Sequence, residues 1–236
     1  MTFAVDFRNS PWASSDIPGM NRLNWRSEIM FTRNKERIVG KRILDLACAN
    51  GRLSFPCLAL GAASVVGVEG RQSRIDVGQK RFAQLPYGNK MTFVLDDVFN
   101  FLDQVKPGTF DVILCLGFLY HTTRQVDFFR ACQRLKPETV FVDTSVAKNY
   151  WWFGKNMFGK PPALFLGRED ATRESDTIDP DSIMYWPTTS YIETMFDYIG
   201  YGWRRLAFKG AGITDWTALP DYKKGIRAAY IAMPKS

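Results

Sequence analysis

The chain has 236 residues, 46% hydrophobic and 23% charged, with a formal net charge of +7 at pH 7, a composition ordinary for a soluble protein with one sizeable α/β domain. No apolar run is long enough to span a bilayer, the N-terminus does not resemble a signal peptide, and a single histidine without any Cys-x-x-Cys pair excludes an ordinary zinc site, so we expect a cytoplasmic protein without membrane partner or metal. The positive charge favours anionic partners. The sequence contains no block of five or more Lys and Arg residues, so we do not expect duplex nucleic acid among them.

Residues 1–40 are predicted to form an N-terminal cover segment with a helix. Turn-forming residues dominate residues 1–20, which we expect to wrap over the domain without joining its core. Residues 21–39 place apolar side chains among charges at helical spacing, which predicts a covering helix. On this helix Trp25 and Arg26 are candidates to reach over a cofactor, the alternative being a solvated charged face.

From residue 41 to residue 236, strand patterns alternate with helix patterns. Five strands are predicted, with the sequences KRILDLA, SVVGVEG, MTFVLDD, FDVILCLGFLY and TVFVDTSV. Such alternation predicts a parallel sheet with helices on both faces. Ligands of these sheets bind beyond the carboxyl ends of the strands, where the strand order reverses.

Every predicted strand ends in a polar or acidic side chain. In chain order these are Asp45, Glu69, the pair Asp96 and Asp97, the pair Tyr120 and His121, and Asp143. Because the carboxyl ends of parallel strands meet at one edge, we expect these side chains to surround one site.

The turn after the first strand favours one class of cofactor. It keeps a single glycine, Gly51, where dinucleotide sites need three, and Ala47 and Ala49 tolerate an amino-acid group more readily than a close pyrophosphate. Asp45 would repel a phosphate but can help to bind an ammonium group, while Glu69 is placed to accept from both hydroxyls of a ribose. These features favour S-adenosylmethionine over a nicotinamide dinucleotide, which remains an alternative.

The adenine end of the cofactor is predicted to lie beyond the third strand. There the Asp97 carboxylate can accept from the adenine amino group, with the backbone amide of Val98 nearby. The remaining candidate cofactor residues are Asn50, Gly70, Asp96 and Leu116.

Four successive segments resemble the motifs of class I S-adenosylmethionine-dependent methyltransferases: ILDLACANG, VVGVEG, FVLDDVFNF and FDVILCLGFLYH. The C-terminal region resembles the last helix and the two closing strands of that family, the final strand being antiparallel. This resemblance implies a seven-stranded, mostly parallel, Rossmann-like α/β sheet with helices on both faces, and S-adenosylmethionine as methyl donor.

A weaker similarity is to the bacterial tRNA wobble-uridine carboxymethyltransferase and its relatives. It is carried by the segments NWRSEIMFTRNKERIVG, LGFLYH and IRAAYIAM. The similarity implies that Tyr120 and Arg227 hold a carboxylated form of the cofactor. Because the sequence lacks the long N-terminal region of that enzyme, we expect a relative that uses ordinary S-adenosylmethionine on another acceptor.

Three side chains are candidates for catalysis. His121, at the mouth of the fourth strand, can take a proton from an acceptor hydroxyl, or can cap the next helix and shape the pocket. Tyr120 lines the methyl pocket or is a packed aromatic residue, and Asp143 is placed to orient the acceptor.

The segment at about 147–185 is long for a connection and rich in aromatic and charged residues, which predicts a lid or substrate-recognition insertion; a dimer contact is the alternative. We therefore expect O-methylation of a hydroxyl on a small-molecule or carbohydrate-like acceptor, with a possible homodimer. The alternatives are modification of the tRNA wobble uridine and a non-catalytic cofactor-binding module.

Overall fold

The computed structural model describes residues 2–147, 161–168 and 183–235. The helices are α1 Ile17–Met30, α2 Ser54–Ala59, α3 Gln72–Phe82, α4 Val98–Gln104, α5 Gln125–Leu135, α6 Thr189–Tyr198 and α7 Pro220–Lys224. The strands are β1 Arg42–Leu46, β2 Ser64–Glu69, β3 Met91–Leu95, β4 Val112–Leu116, β5 Thr139–Ser145, β6 Leu164–Arg168, β7 Ile183–Pro187, β8 Tyr201–Arg205 and β9 Arg227–Pro234. Short 3₁₀ helices cover Phe7–Asn9, Thr32–Arg37, Gly88–Lys90 and Leu119–His121.

The main sheet has seven strands in the order β3-β2-β1-β4-β5-β9-β8. The pairs among β1 to β5 are parallel, and β9 runs antiparallel to both of its neighbours, β5 and β8. The predicted seven-stranded, mostly parallel Rossmann-like sheet is therefore confirmed. Strand order reverses between β1 and β4, so the crevice for a ligand lies beyond their carboxyl ends.

The central strands are buried on both faces, which explains their continuous apolar sequences. In β1, Ile43 belongs to the core under α1, whereas its neighbour Leu44 belongs to the core under α4, α5 and α6. The same alternation separates Phe141 from Val140 and Val142 in β5. Helices thus cover both faces, as the sequence predicts.

The N-terminal segment contributes to the core, so the expectation that residues 1–20 only wrap over the domain is wrong. Phe7 is fully buried and packs edge-on against Phe55, and Trp12 stacks on the same ring at 5.0 Å between centroids. Turn-forming residues set the path of the segment, while the apolar side chains between them fill the space beside α2. The helix that follows begins at Ile17, where the Asp16 side chain accepts a hydrogen bond from the Gly19 amide.

The fourth strand is shorter than its apolar sequence suggests. It ends at Leu116, and Gly117 takes a φ of 95°, which turns the chain into the 3₁₀ helix Leu119–His121. Tyr120 and His121 therefore lie in this 3₁₀ helix, beyond the last residue of β4. Asp143 is inside β5 and does not terminate it.

Most of the predicted insertion at 147–185 lies outside the described residues, including its aromatic run at 150–158. The described part forms a two-stranded antiparallel sheet of β6 and β7. Gln125 connects this sheet to the turn after β4, because its Nε2 donates to the carbonyls of Leu119 (2.9 Å) and Tyr185 (2.8 Å). No helix in the described parts of the chain is both long and apolar enough to cross a membrane.

Candidate active site

Two adjoining cavities lie beyond the carboxyl ends of β1 to β4. The first has a volume of about 370 Å³ and lies between the β1 turn, α1 and the turn after β4. The second, about 480 Å³, lies beyond β2 and β3. Ala47, Phe118 and His121 line both cavities, so the two meet at the point where the strand order reverses.

Most of the predicted site residues line these cavities. Those in the first are Arg26, Asp45, Ala47, Ala49, Glu69, Leu116, Tyr120 and His121. Those in the second are Gly70, Asp96, Asp97 and Val98, together with Ala47 and His121. Four predicted residues line neither of the two: Trp25, Asn50, Gly51 and Asp143.

The turn after β1 contains three residues in the left-handed region. Ala47, Ala49 and Gly51 have φ angles of 52°, 51° and 71°. This conformation costs about 1–2 kcal/mol for a residue with a Cβ, whereas glycine adopts it freely. The two alanines therefore carry a conformational cost. The sequence alone showed only which ligand groups their methyl groups tolerate.

Glu69 fixes this turn against β2. Its carboxylate is 1% exposed and accepts hydrogen bonds from the Ala49 amide at 2.9 Å and from the amide and Nε of Arg71, each at 3.1 Å. Asn50 turns towards the N-terminal segment, since its Oδ1 accepts from Trp12 Nε1 at 3.2 Å. Glu69 thus faces the cavity and Asn50 holds the cover segment.

Asp45 is a buried carboxyl group in the cavity wall. It is 2% exposed, and Ser54 Oγ donates to its Oδ2 at 2.6 Å. Burial raises the pKa of Asp45 from 3.8 to about 7, and repulsion from Glu69 adds to this, while the Ser54 hydrogen bond opposes it. A cation placed next to Asp45 would favour its ionised form.

The second cavity combines a helix cap with apolar surface. Asp97 Oδ1 accepts from the amides of Phe99 (2.9 Å) and Asn100 (3.1 Å) and so caps α4. Leu95, more than half exposed at the end of β3, lines the same cavity. The cap fixes the carboxylate beside the cavity, and its contact with an adenine stays a prediction.

Asp143 holds an ionic cluster and is not open to an acceptor. It is fully buried; its Oδ2 accepts from Arg26 Nη2 and Tyr222 Oη, both at 2.6 Å, and its Oδ1 accepts from Arg227 Nε at 2.8 Å. Burial alone would raise the pKa of Asp143, but the two guanidinium groups and the hydroxyl hold it at about 2. The predicted contact between Asp143 and the acceptor therefore does not fit, because the carboxylate is enclosed by these three side chains and lines neither cavity.

Trp25 does not reach over the cavity either. It is buried and packs edge-on against Phe3, with 5.2 Å between ring centroids. Its neighbour Arg26 does line the first cavity, because successive helix positions point about 100° apart.

Tyr120 and His121 form the wall where the two cavities meet. Their ring centroids are 3.9 Å apart, with 38° between the ring planes. The His121 amide donates to the Phe118 carbonyl at 2.8 Å, which closes the turn. This places the imidazole at the junction of the two cavities.

Several arginines of the first cavity were not among the predicted site residues. They are Arg22, Arg52, Arg71 and Arg227. The weaker similarity pointed to Arg227. The spacing of Arg22 four residues before Arg26 places both on one face of α1, which is a signal that the sequence did offer. Tyr222, which donates to Asp143, had no signal of its own.

The sequence of the chain is similar to known proteins over about half of its length. A family model described as "Methyltransferase domain" matches residues 39–163. Among curated proteins, the chain is 33% identical over 125 residues to a ubiquinone biosynthesis O-methyltransferase of Pseudomonas aeruginosa, covering 52% of this chain and 50% of that protein. It is 31% identical over 129 residues to the mitochondrial ubiquinone biosynthesis O-methyltransferase of Schizosaccharomyces pombe, covering 54% and 45%. The chain thus spans about half the length of the curated relatives it matches.

Solved structures show the same fold at low identity. An S-adenosylmethionine-dependent methyltransferase from Mesorhizobium loti superposes with a TM-score of 0.59 and 16% identity, covering 89% of this chain and 99% of that one. Magnesium protoporphyrin IX methyltransferase from Synechocystis PCC 6803, solved with bound S-adenosylmethionine, gives 0.58 and 16%, covering 91% and 80%. These likenesses confirm the fold.

We predict that Ala49→Gly stabilises the protein by up to about 1 kcal/mol, because the relief of left-handed strain exceeds the added freedom of the unfolded chain. The measurement is urea unfolding of the purified protein. The matched control is Ala83→Gly, at an exposed position with a φ of −59° that alanine adopts without strain, where the free energy of unfolding should fall by about 0.4–1 kcal/mol. Equal destabilisation by both substitutions would contradict the strain in the turn.

We predict that Asp45→Asn makes the folded state less sensitive to pH. In the folded protein the pKa of Asp45 is about 7, above its ordinary 3.8, so its contribution is most favourable below pH 4 and is lost as pH rises to 7. Each pKa unit corresponds to about 1.4 kcal/mol, so at pH 8 the variant should be more stable than the wild type by a few kcal/mol. The measurement is the free energy of unfolding of both proteins at pH 5 and pH 8. If the variant shows the same change between the two pH values as the wild type, the prediction is refuted.

Proposed function

The chain belongs to the methyltransferase-domain family, and on that premise we propose that it transfers a methyl group from S-adenosylmethionine to a hydroxyl group of a small-molecule acceptor. The observation that carries the proposal is the pair of cavities at the reversal of strand order. Buried carboxyl groups, Asp45 and Glu69, stand in the wall of one cavity, and a capped carboxylate, Asp97, stands beside the other.

The wall of the cavities suits the separate parts of this cofactor. The Glu69 carboxylate is placed for the ribose hydroxyls, and Asp45 for the ammonium group. Arg26 provides a guanidinium group for the cofactor carboxylate, and Leu95 and Val98 provide apolar surface for the adenine. The raised pKa of Asp45 supports this arrangement, because a buried carboxyl near neutrality gains most from a nearby cation.

The cofactor supplies a methyl group activated by its bond to a sulfonium. In this proposal the protein aligns the acceptor oxygen with that bond, and such positioning can lower the barrier by up to about 7–11 kcal/mol. Tyr120 and His121 form the wall at which the acceptor oxygen would lie. In this proposal the His121 imidazole takes the hydroxyl proton as the new C–O bond forms and the methyl C–S bond breaks, its electron pair staying on the sulfur of the departing thioether.

The curated relatives support a hydroxyl as the acceptor, since both are named O-methyltransferases. A carbohydrate acceptor, a tRNA acceptor, a homodimer, a lid formed by the insertion and a cytoplasmic location stay predictions. The division into a cover at 1–40 and a catalytic domain at 41–236 is also proposed; the packing of Phe7 and Trp12 into the core means that the two would fold together.

The proposal is tested by transfer of a labelled methyl group from S-adenosylmethionine to panels of phenols, sugars and bulk tRNA. We expect labelled phenol ethers or another O-methylated small molecule. Label in tRNA, with a steep dependence on salt, would instead support wobble modification. Tight cofactor binding without product on any panel would support a non-catalytic binding module.

We predict that His121→Gln lowers kcat by about 10²-fold or more, because a positioned general base contributes about 10²–10⁴-fold. The measurement is steady-state kinetics, and the dissociation constant of S-adenosylhomocysteine is measured alongside to show that the variant keeps its cofactor site. The control is Thr123→Ala, which alters another residue of the second cavity. A merely structural His121 would leave the pH–rate profile unchanged in shape, whereas loss of a base removes one ionisation from it.

A further inference from the structure

We propose that Trp12 is a positioning residue for the cofactor, because its hydrogen bond to Asn50 holds the β1 turn in the conformation that binds S-adenosylmethionine. This inference rests on the cofactor side of the proposed function and adds to it a residue that lines neither of the two cavities. Trp12 also precedes residues 39–163, the region that matches the family model. The observations that carry the inference are the packing of the Trp12 ring, its hydrogen bond and the backbone of the turn.

The Trp12 side chain is held in place by the core around it. Trp12 is 4% exposed; its ring stacks on Phe55 of α2 and packs edge-on against Phe82 of α3, with 5.0 and 5.1 Å between centroids. The guanidinium carbon of Arg81 lies 5.7 Å from the same ring, within the range of a cation–π contact. A ring packed in this way gives its Nε1–H group a fixed direction.

The partner of this N–H group belongs to the β1 turn. Trp12 Nε1 donates to Oδ1 of Asn50 at 3.2 Å, and Asn50 lies between Ala49 and Gly51 in the sequence. The Ala49 amide in turn donates to the Glu69 carboxylate at 2.9 Å. Two hydrogen bonds from outside the turn, one from the N-terminal segment and one from β2, therefore hold two adjacent residues of it.

Helix α3 packs against both Trp12 and the turn. A Cβ built on Gly51 would meet the Phe82 ring at 2.5 Å, and a Cβ built on Gly78 would lie 3.1 Å from the Asn50 carbonyl oxygen. Gly78 and Phe82 are four residues apart and so lie on one face of α3. Because Trp12 and the turn rest on this same face, the donor and the acceptor of their hydrogen bond stay close together.

The backbone of the turn explains why it needs such support. Ala47 and Ala49 have φ angles of 52° and 51°, in the left-handed region that glycine adopts freely and alanine does not. Both alanines line the first cavity, so a turn in which they leave this region presents a different wall to the cofactor. The apparent dissociation constant rises as the fraction of molecules in the binding conformation falls. A contact that favours this conformation therefore strengthens cofactor binding without touching the cofactor.

The first test is the dissociation constant of S-adenosylhomocysteine for Trp12→Phe, measured by isothermal titration calorimetry. Phenylalanine keeps an aromatic ring beside Phe55 but has no N–H donor. We expect binding to weaken by about threefold to tenfold, which is what one neutral hydrogen bond provides. The matched control is Trp203→Phe, the same substitution on β8 at the edge of the sheet, which should leave the dissociation constant unchanged.

The second test connects the hydrogen bond to the strain. Ala49→Gly in the Trp12→Phe background should restore binding to within about twofold of the wild type, because glycine adopts this φ without support. Ala83→Gly, outside the turn, should restore nothing in the same background. Asn50→Leu removes the acceptor of the hydrogen bond. The double variant with Trp12→Phe should therefore bind no more weakly than the weaker of the two single variants.

Hydrogen exchange reports on the turn without any ligand. The Ala49 amide donates to Glu69, and the Gly51 amide donates to a carbonyl within the turn, so both exchange when the turn opens. In Trp12→Phe both amides should exchange about threefold to tenfold faster, as expected for the loss of one hydrogen bond. Trp203→Phe should leave both rates unchanged.

Two results would overturn the inference. One is a dissociation constant for Trp12→Phe that equals that of Trp203→Phe. The other is weaker binding that Ala49→Gly does not relieve, with unchanged exchange of the turn amides, which would give Trp12 a general role in stability only. Exchange also separates this inference from the proposed function. A wild-type protein that binds no S-adenosylhomocysteine would refute the proposed function, while faster exchange in Trp12→Phe would still support the role of Trp12 in the turn.

Discussion

The ionic cluster around Asp143 is the interaction on which the site depends. One fully buried carboxylate joins α1 through Arg26, β9 through Arg227 and α7 through Tyr222, and it belongs to β5 itself. Elements from both ends of the chain thereby meet above the central strands. Removal of one partner from such a buried pair costs about 3–5 kcal/mol, because the remaining charge is left uncompensated. The cluster therefore sets both the position of α1 and the direction of two guanidinium groups in the cavity wall.

Two features reduce stability at the end of β1: the strained turn after the strand and the buried carboxyl group of Asp45 just before it. Ala47 and Ala49 occupy a backbone conformation that suits glycine, and Asp45 is ionised only at a cost that its pKa of about 7 reflects. Neighbouring groups counterbalance this: Glu69 accepts from the Ala49 amide, and Ser54 donates to Asp45. Strain and unfavourable charge in one turn are expected where a ligand completes the interactions.

The sequence predicts the sheet and most of the residues that line the two cavities, because both depend on local patterns. Buried strands such as β1 show as apolar runs, and acids such as Glu69 follow them directly. The end of β4 was missed because Leu116 to Tyr120 stays apolar through the turn that Gly117 makes. The role of Asp143 could not be predicted, since Arg26 and Arg227 reach it only after α1 and β9 have packed. Burial of Phe7 likewise depends on Phe55, far along the chain.

The antiparallel direction of β9 has a consequence for how this fold can change. An antiparallel strand begins at the edge where its parallel neighbours end, so its first residue, Arg227, pairs with Ser145 at the end of β5. The matched family region, 39–163, includes the β1 turn but neither α1 nor β9. One wall of the first cavity is thus built from the region that matches the family model. The other wall includes residues of α1 and β9, which precede and follow that region in the chain. Substitutions in those flanking segments can therefore change which ligand the cavity admits without altering a residue of the β1 turn.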